Sequence, residues 1–273
     1  MSIYKIIASD LDGTLLNEDM ALSAENARAI TALAKKDVQF VPSSGRTLCE
    51  MPADVVQHSG VRYIIYSNGA TIWDKHTDTH TYLCMSCAVS NAVLDVLKNY
   101  DCHILVRHGG QSYVDCRYAD EKAFEQYQLC VAHRDVIRQY AVKKQDFLPF
   151  LYALDKVECY ALFFSDDTAM ADCATALSAV PDIAVVPSWP HCLEVFSKDA
   201  GKGAALIRLA ALTDTPIQQT IAVGDSGNDA SMVVTAGLGL ATANACDALK
   251  QQADAVICAN TEHIAQYILE TYV

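Results

Sequence analysis

Residues 3–15 read Ile3-Tyr4-Lys5-Ile6-Ile7-Ala8-Ser9-Asp10-Leu11-Asp12-Gly13-Thr14-Leu15. A short apolar run ends here in two carboxylates spaced two apart, followed by a glycine. An apolar run closed by a polar turn reads as a buried strand, placed at Ile3 to Ser9. Ligands of an open α/β sheet gather at the carboxyl ends of its strands, which is where Asp10 and Asp12 fall. Gly13 lets the backbone leave the strand at once. Asp-x-Asp-Gly alone also fits a solvated turn; the buried strand before it and Thr14-Leu15 after it favour a site.

Outward from this stretch, Ser23 is placed to cap a helix whose apolar positions Ala27, Ile30, Leu33 and Ala34 recur at helical spacing. Gln39 to Pro42 and Tyr63 to Ser67 are the next strands. Alternation of strand and helix implies a parallel sheet with helices on its faces. Thr71 to Trp73 and Thr79 to Tyr82 form a hairpin. The texture changes near Ser86. A helix runs to about Asn99, and His103 to His108 pairs with Gln111 to Val114 around Gly109-Gly110. Val157 to Phe164, a helix near Asp167 and Ile183 to Pro187 follow. The alternating pattern returns near Cys192, with a helix over Lys202 to Ala211 and strands at Thr220 to Val223, Leu238 to Ala241 and Ala255 to Cys258. Thr261 is placed to cap the last helix. The expected fold is α/β: a doubly wound, mostly parallel Rossmann-like core sheet over 1–83 and 189–273, with an inserted α+β cap domain over 84–188.

The 273 residues are enough for such a core without disulfide or metal staples. A net charge of −13 repels nucleic-acid phosphates and anionic lipid heads, so neither is an expected partner. No apolar run is long enough to span a bilayer. Met1-Ser2-Ile3-Tyr4-Lys5 carries no secretory signal, and the 11 cysteines are expected to be reduced thiols in the cytoplasm. Cys84 and Cys87 make one Cys-x-x-Cys; a zinc ribbon needs a second such pair, so this spacing reads as incidental.

Three further strings carry chemistry. Gly224-Asp225-Ser226-Gly227-Asn228-Asp229 follows a predicted strand and offers two more carboxylates. Mg2+ takes hard oxygen ligands and keeps several waters; one carboxylate from each of two strand ends, a backbone carbonyl, waters and a phosphate oxygen would complete its shell. Gly201-Lys202-Gly203 opens a helix with an ammonium that can meet both a phosphate and an attacking carboxylate. Ser43-Ser44-Gly45-Arg46 places a hydroxyl and an amide at a strand end, where they can donate to a phosphoryl oxygen.

Together and in this order, the four strings resemble the haloacid dehalogenase superfamily of phosphohydrolases, and its Cof-type sugar-phosphatase branch with a large inserted cap. Asn68-Gly69-Ala70 and Leu193-Glu194-Val195 are similar to that branch too. The resemblance implies a Mg2+-dependent phosphatase acting on small phosphate monoesters through an aspartyl-phosphate. It implies that Asp10 is the nucleophile and a Mg2+ ligand. Asp12 would be the general acid and base, lending its backbone carbonyl to the metal. Ser44, the Gly45 amide, Lys202 and Asn228 would hold the phosphoryl group. Asp225 would ligate Mg2+ and Asp229 would support that shell. Thr242-Ala243-Asn244-Ala245 and Glu262-His263 depart from the family pattern, yet neither removes a catalytic group.

A phosphomutase on the same core, and a phosphate-ligand sensor without turnover, remain as alternatives. Carbon–halogen hydrolysis leaves the metal carboxylates without a task. Substrate choice is expected in the inserted domain, with Arg107, His108, Tyr113, Arg117 and Tyr160 as polar candidates.

Overall fold

The computed structural model describes residues 3–273. The chain divides into two compact units. The first comprises the chain up to Arg46, then Met51–Tyr82 and Gly201–Val273. Its main sheet has five parallel strands in the order Ala255–Val256, Leu238–Ala241, Thr220–Gly224, Ile6–Ser9, Gln39–Pro42. Ile6–Ser9 thus lies between strands from opposite ends of the sequence, and all four of its residues are buried. The chain adds a strand on one side of Ile6–Ser9 early in the sequence and on the other side late in it, and such a switch in strand order opens a crevice at the carboxyl ends. Tyr63–Tyr66, Thr71–Asp74 and Thr79–Tyr82 form an antiparallel three-stranded sheet, linked to the main one by a parallel bridge from Ser43 to Ile65.

Helix Ala24–Lys35 begins where expected: the Ser23 hydroxyl accepts from Asn26 N at 3.2 Å. Its buried face differs from the expected one. Ala34 is exposed, and Asn26 is buried in its place. The Asn26 amide donates to Leu15 O and accepts from Ala265 N, so a polar side chain is satisfied inside the contact with helix Ile264–Tyr272. Thr261 does not cap that last helix. It lies in the turn Asn260–Glu262, and His263, at φ 62°, breaks the chain direction before Ile264.

The second unit comprises Thr47–Glu50 and Leu83–Ala200. Its six-stranded sheet runs Ile183–Trp189, Cys192–Ser197, Cys159–Phe163, His103–His108, Gln111–Asp115, Val142–Lys144, antiparallel except for the last pair. Side chains alternate between two cores. Val106, Tyr160, Leu162 and Val195 pack with helices Cys87–Leu97, Phe147–Tyr152 and Asp167–Leu177. Leu105, Ala161, Phe163 and Cys192 pack with Phe124, Tyr127, Leu129 and Ile137. Period-two alternation covers both faces of an antiparallel sheet. The boundary expected at 188/189 is corrected here: Cys192–Ser197 pairs with Cys159–Phe163, so the chain stays in this unit until Ala200.

Among the described residues, no helix is long and apolar enough to cross a membrane.

Candidate active site

Asp10 follows the central strand and is 4% exposed. Its N–H donates to Val223 O at 3.0 Å, which fixes the residue between two strand ends. The tight loop Leu11–Leu15 closes with Leu16 N donating to Leu11 O. Gly13 makes this turn at φ 75° and lies so close to Asp225 that a Cβ there would sit 2.5 Å from its Oδ2. That approach is open to glycine alone.

The loop after Thr220–Gly224 brings Asp225 and Asp229 to Asp10. Carboxylate oxygens of the three all lie within 4.8 Å of one another. Lys202 opens helix Lys202–Leu212 and is 1% exposed. Its ammonium donates to Asp10 Oδ1 at 2.5 Å and to Asp229 Oδ1 at 2.6 Å. Asp229 Oδ2 accepts from the N–H groups of Asp225 and Ser226, each at 3.0 Å. Both Asp229 oxygens are therefore engaged by protein donors. Asp225 Oδ1 accepts from Thr14 Oγ1 at 3.5 Å, and its own backbone N–H also faces the carboxylate.

Burial pushes the Asp10 carboxyl up to about 7; Lys202 pulls it back, while Asp229 and Asp225 push it further up. Burial, then the Asp229 charge, raises Asp225 to about 6. Burial alone would lower the Lys202 ammonium, but Asp10 and Asp229 outweigh it and hold the group above its ordinary value. Three carboxylates against one ammonium leave a formal excess of two negative charges in a desolvated site. Oxygen-only donors with that deficit fit a hard divalent cation such as Mg2+.

Asp12 stands apart from this cluster. Its side chain is 43% exposed, and Arg46 grips it with two donors: Nε to Oδ2 at 2.9 Å and Nη2 to Oδ1 at 2.7 Å. Ser44 is fully buried and its hydroxyl accepts from Arg46 N at 3.1 Å. Gly45 packs against Asn68, where a Cβ would come within 3.0 Å of Oδ1. Asn68, itself in the left-handed region at φ 53°, accepts from Asn228 Nδ2 at 3.0 Å. The Ser44 and Asn228 loops are thus tied through Asn68.

Four neighbours of the site were given no role in the sequence reading: Thr14, Arg46, Asn68 and Asn244. Asn244 Nδ2 donates to Gly13 O at 2.7 Å, steadying the same turn. The signal for Arg46 was available, a cation directly after a hydroxyl and a glycine at a strand end.

The cap candidates fare unevenly. Tyr160 is buried, with its hydroxyl 2.7 Å from Ser90. Arg107 is 6% exposed among glutamates. Arg117 is paired with Asp115, and the His108 ring bonds Lys156 O. Tyr113 packs on Phe150. Burial pushes the Cys84 thiol up to about 11, which keeps it protonated and argues against redox work.

A model of the family described as haloacid dehalogenase-like hydrolase matches residues 7–268. The chain belongs to that family, and it is an enzyme of the phosphatase kind. Phosphatase YwpJ of Bacillus subtilis is 29% identical over 97% of this chain and 99% of its own length. From the same organism, 5-amino-6-(5-phospho-D-ribitylamino)uracil phosphatase YcsE is 29% identical over 94% of this chain and 91% of its own. The crystal structure of TM0651 from Thermotoga maritima superposes with a TM-score of 0.82 over 98% of this chain and 97% of the other, at 23% identity, and shares the fold.

Proposed function

We propose that this chain hydrolyses small phosphate monoesters, sugar phosphates or similar metabolites, in a Mg2+-dependent reaction through an aspartyl-phosphate on Asp10. The observation that carries this reading is the buried cluster in which Lys202 holds Asp10 beside Asp225 and Asp229. Asp10, Asp225 and the backbone carbonyl of Asp12 would hold Mg2+, with Asp229 as support. Bound there, the ion supplies charge cancellation for an anion approached by an anion.

Asp10 attacks phosphorus as the ester P–O bond breaks, which splits one difficult displacement into two easier ones. Lys202 keeps Asp10 oriented and offsets the charge gathering on the phosphoryl oxygens. The Ser44 hydroxyl, the Gly45 N–H and the Asn228 amide hold the phosphoryl group. Asp12 gives a proton to the leaving alkoxide, then takes one from the water that releases phosphate and restores Asp10. Arg46 satisfies both Asp12 oxygens in the ionised form, so Asp12 must slip part of that grip to carry a proton. The second unit is the place for substrate choice.

YcsE, a 5-amino-6-(5-phospho-D-ribitylamino)uracil phosphatase, acts on a small phosphorylated metabolite, which supports a substrate of that kind here. The eleven cysteines are free thiols, which agrees with a reducing cytoplasm.

The test is phosphate release from a generic aryl phosphate with and without Mg2+. Release should require the ion and should vanish in Asp10→Asn. Undiminished turnover in that variant would remove the nucleophile assignment. A panel of phosphate esters then ranks substrates.

A further inference from the structure

We propose that Glu50 is a positioning residue for the phosphate-binding turn, acting on Arg46 through the four-residue strap Thr47–Glu50. The proposal rests on the phosphatase reading above. Thr47–Glu50 belongs to the second unit, although Arg46 and Met51 on either side belong to the first. The strap is closed on itself: Glu50 N donates to Thr47 O at 3.0 Å, and Thr47 N donates to Glu50 Oε2 at 3.2 Å.

Three attachments fix it within the second unit. Glu50, 4% exposed, accepts from Ser112 Oγ at 2.6 Å through Oε1. The Arg107 guanidinium lies 4.0 Å from Glu50 Oε2 and 3.6 Å from Glu194 Oε1. Cys49 N donates to Gly110 O at 2.9 Å. A buried carboxylate held this way is costly to move, because displacement strands its partners.

The consequence lies in a single peptide group. The carbonyl of Arg46 accepts from Ser67 N at 2.8 Å, and the N–H of the same peptide, on Thr47, is taken by Glu50. The peptide is planar, so a shift of Glu50 tilts the Arg46 carbonyl as well. It also moves the Arg46 side chain that grips Asp12 and the Arg46 N–H that bonds Ser44 Oγ. Glu50 therefore sets the geometry of the proton carrier and of a phosphoryl donor while touching neither.

The experiment measures kcat, KM and the inhibition constant of orthophosphate with an aryl phosphate and Mg2+. It compares wild type with Glu50→Ala, Glu50→Gln, Arg46→Ala and the double variant Arg46→Ala/Glu50→Ala. Tyr127→Phe, which removes a hydroxyl bonded to Asp101 elsewhere in the second unit, reports on general loosening. Glu50→Ala should lower kcat by roughly ten- to a hundredfold and weaken orthophosphate, and Glu50→Gln should recover most of the loss by keeping the Ser112 and Thr47 bonds. In the Arg46→Ala background the added Glu50 substitution should cost no more than about twofold, since the two act in series. A kcat near wild type in Glu50→Ala, full additivity in the double variant, or an equal loss in Tyr127→Phe would overturn the proposal. Should Glu50→Ala fail to fold, Ser112→Ala, which removes the hydroxyl that anchors Glu50 Oε1, takes its place in both backgrounds: a kcat loss that disappears beside Arg46→Ala supports the proposal, and no loss or full additivity overturns it. Failure of the phosphatase reading is separate: it shows as turnover surviving Asp10→Asn, whatever Glu50 does.

Discussion

The Lys202 ammonium reaches two carboxylates, Asp10 and Asp229, at 2.5 and 2.6 Å, and all three groups are buried. Removing the cation leaves both acids buried against each other and against Asp225. Breaking a buried pair from one side costs about 3–5 kcal/mol. Lys202→Met should therefore destabilise the metal-free protein at pH 8 by about that amount, read from urea unfolding. A loss under about 1 kcal/mol would mean that the ammonium behaves as a surface charge. The same variant should lose phosphate release. Asp10 and Lys202 were both legible in the sequence, since each follows a glycine or strand signal. Their separation of 192 positions hid the contact between them. Arg46 was visible as a letter, but its grip on Asp12 depends on a fold-made approach that no local pattern records.

At the scale of elements, a glycine turn holds the start of helix Lys202–Leu212 in place. Gly69, at φ 88°, lies so near the start of helix Lys202–Leu212 that a Cβ would meet Gly201 O at 2.2 Å. Gly69→Ala must push the helix start away, and Lys202 moves with it. We expect roughly a hundredfold loss of kcat/KM and a lowered Tm. Gly109→Ala, also at positive φ but with nothing within 4 Å of the added Cβ, should keep its kcat/KM and lose only stability. Equal kinetic losses in both would show that strain alone, not the close approach, is at work. Three strands of the parallel sheet were legible because short apolar runs met Asp10, Ser43 or Gly224-Asp225 at their ends; Leu238–Ala241 and Ala255–Val256 showed only as apolar runs. Cys192–Ser197 misled for the same reason: it is an apolar run before Gly201-Lys202-Gly203, and nothing local reveals that its hydrogen bonds go to Cys159–Phe163. Helix Val131–Gln139 buries a histidine, His133, beside Ile137, so few apolar letters marked its inner face, and Phe147–Tyr152 is only six residues long.

For the whole molecule, the acidic cluster couples stability to pH and, if it holds Mg2+ as proposed, to the metal. Asp10 is raised from 3.8 to about 7 and Asp225 to about 6. Between pH 4 and 7 the folded chain then binds more protons at these groups than the unfolded chain. Their contribution to stability is present at low pH and is lost as pH rises through the folded values. Metal-free wild type should lose stability over this window relative to Asp10→Asn, and a difference of the opposite slope would contradict the assignment. Mg2+ favours the ionised carboxylates, so it should raise Tm more at pH 8 than at pH 5. At a hundredfold excess over its dissociation constant it should add about 2.7 kcal/mol. No shift at either pH would remove the cluster as a metal site.

The proposed covalent step is open to one direct measurement. The protein is mixed with an aryl phosphate and Mg2+, quenched in acid within the first turnovers, and its peptides are weighed. One added phosphoryl group is expected on the peptide carrying Asp10, absent when Asp10 is replaced by Asn. A phosphoryl group on another residue, or hydrolysis continuing in Asp10→Asn with no labelled peptide, would contradict it.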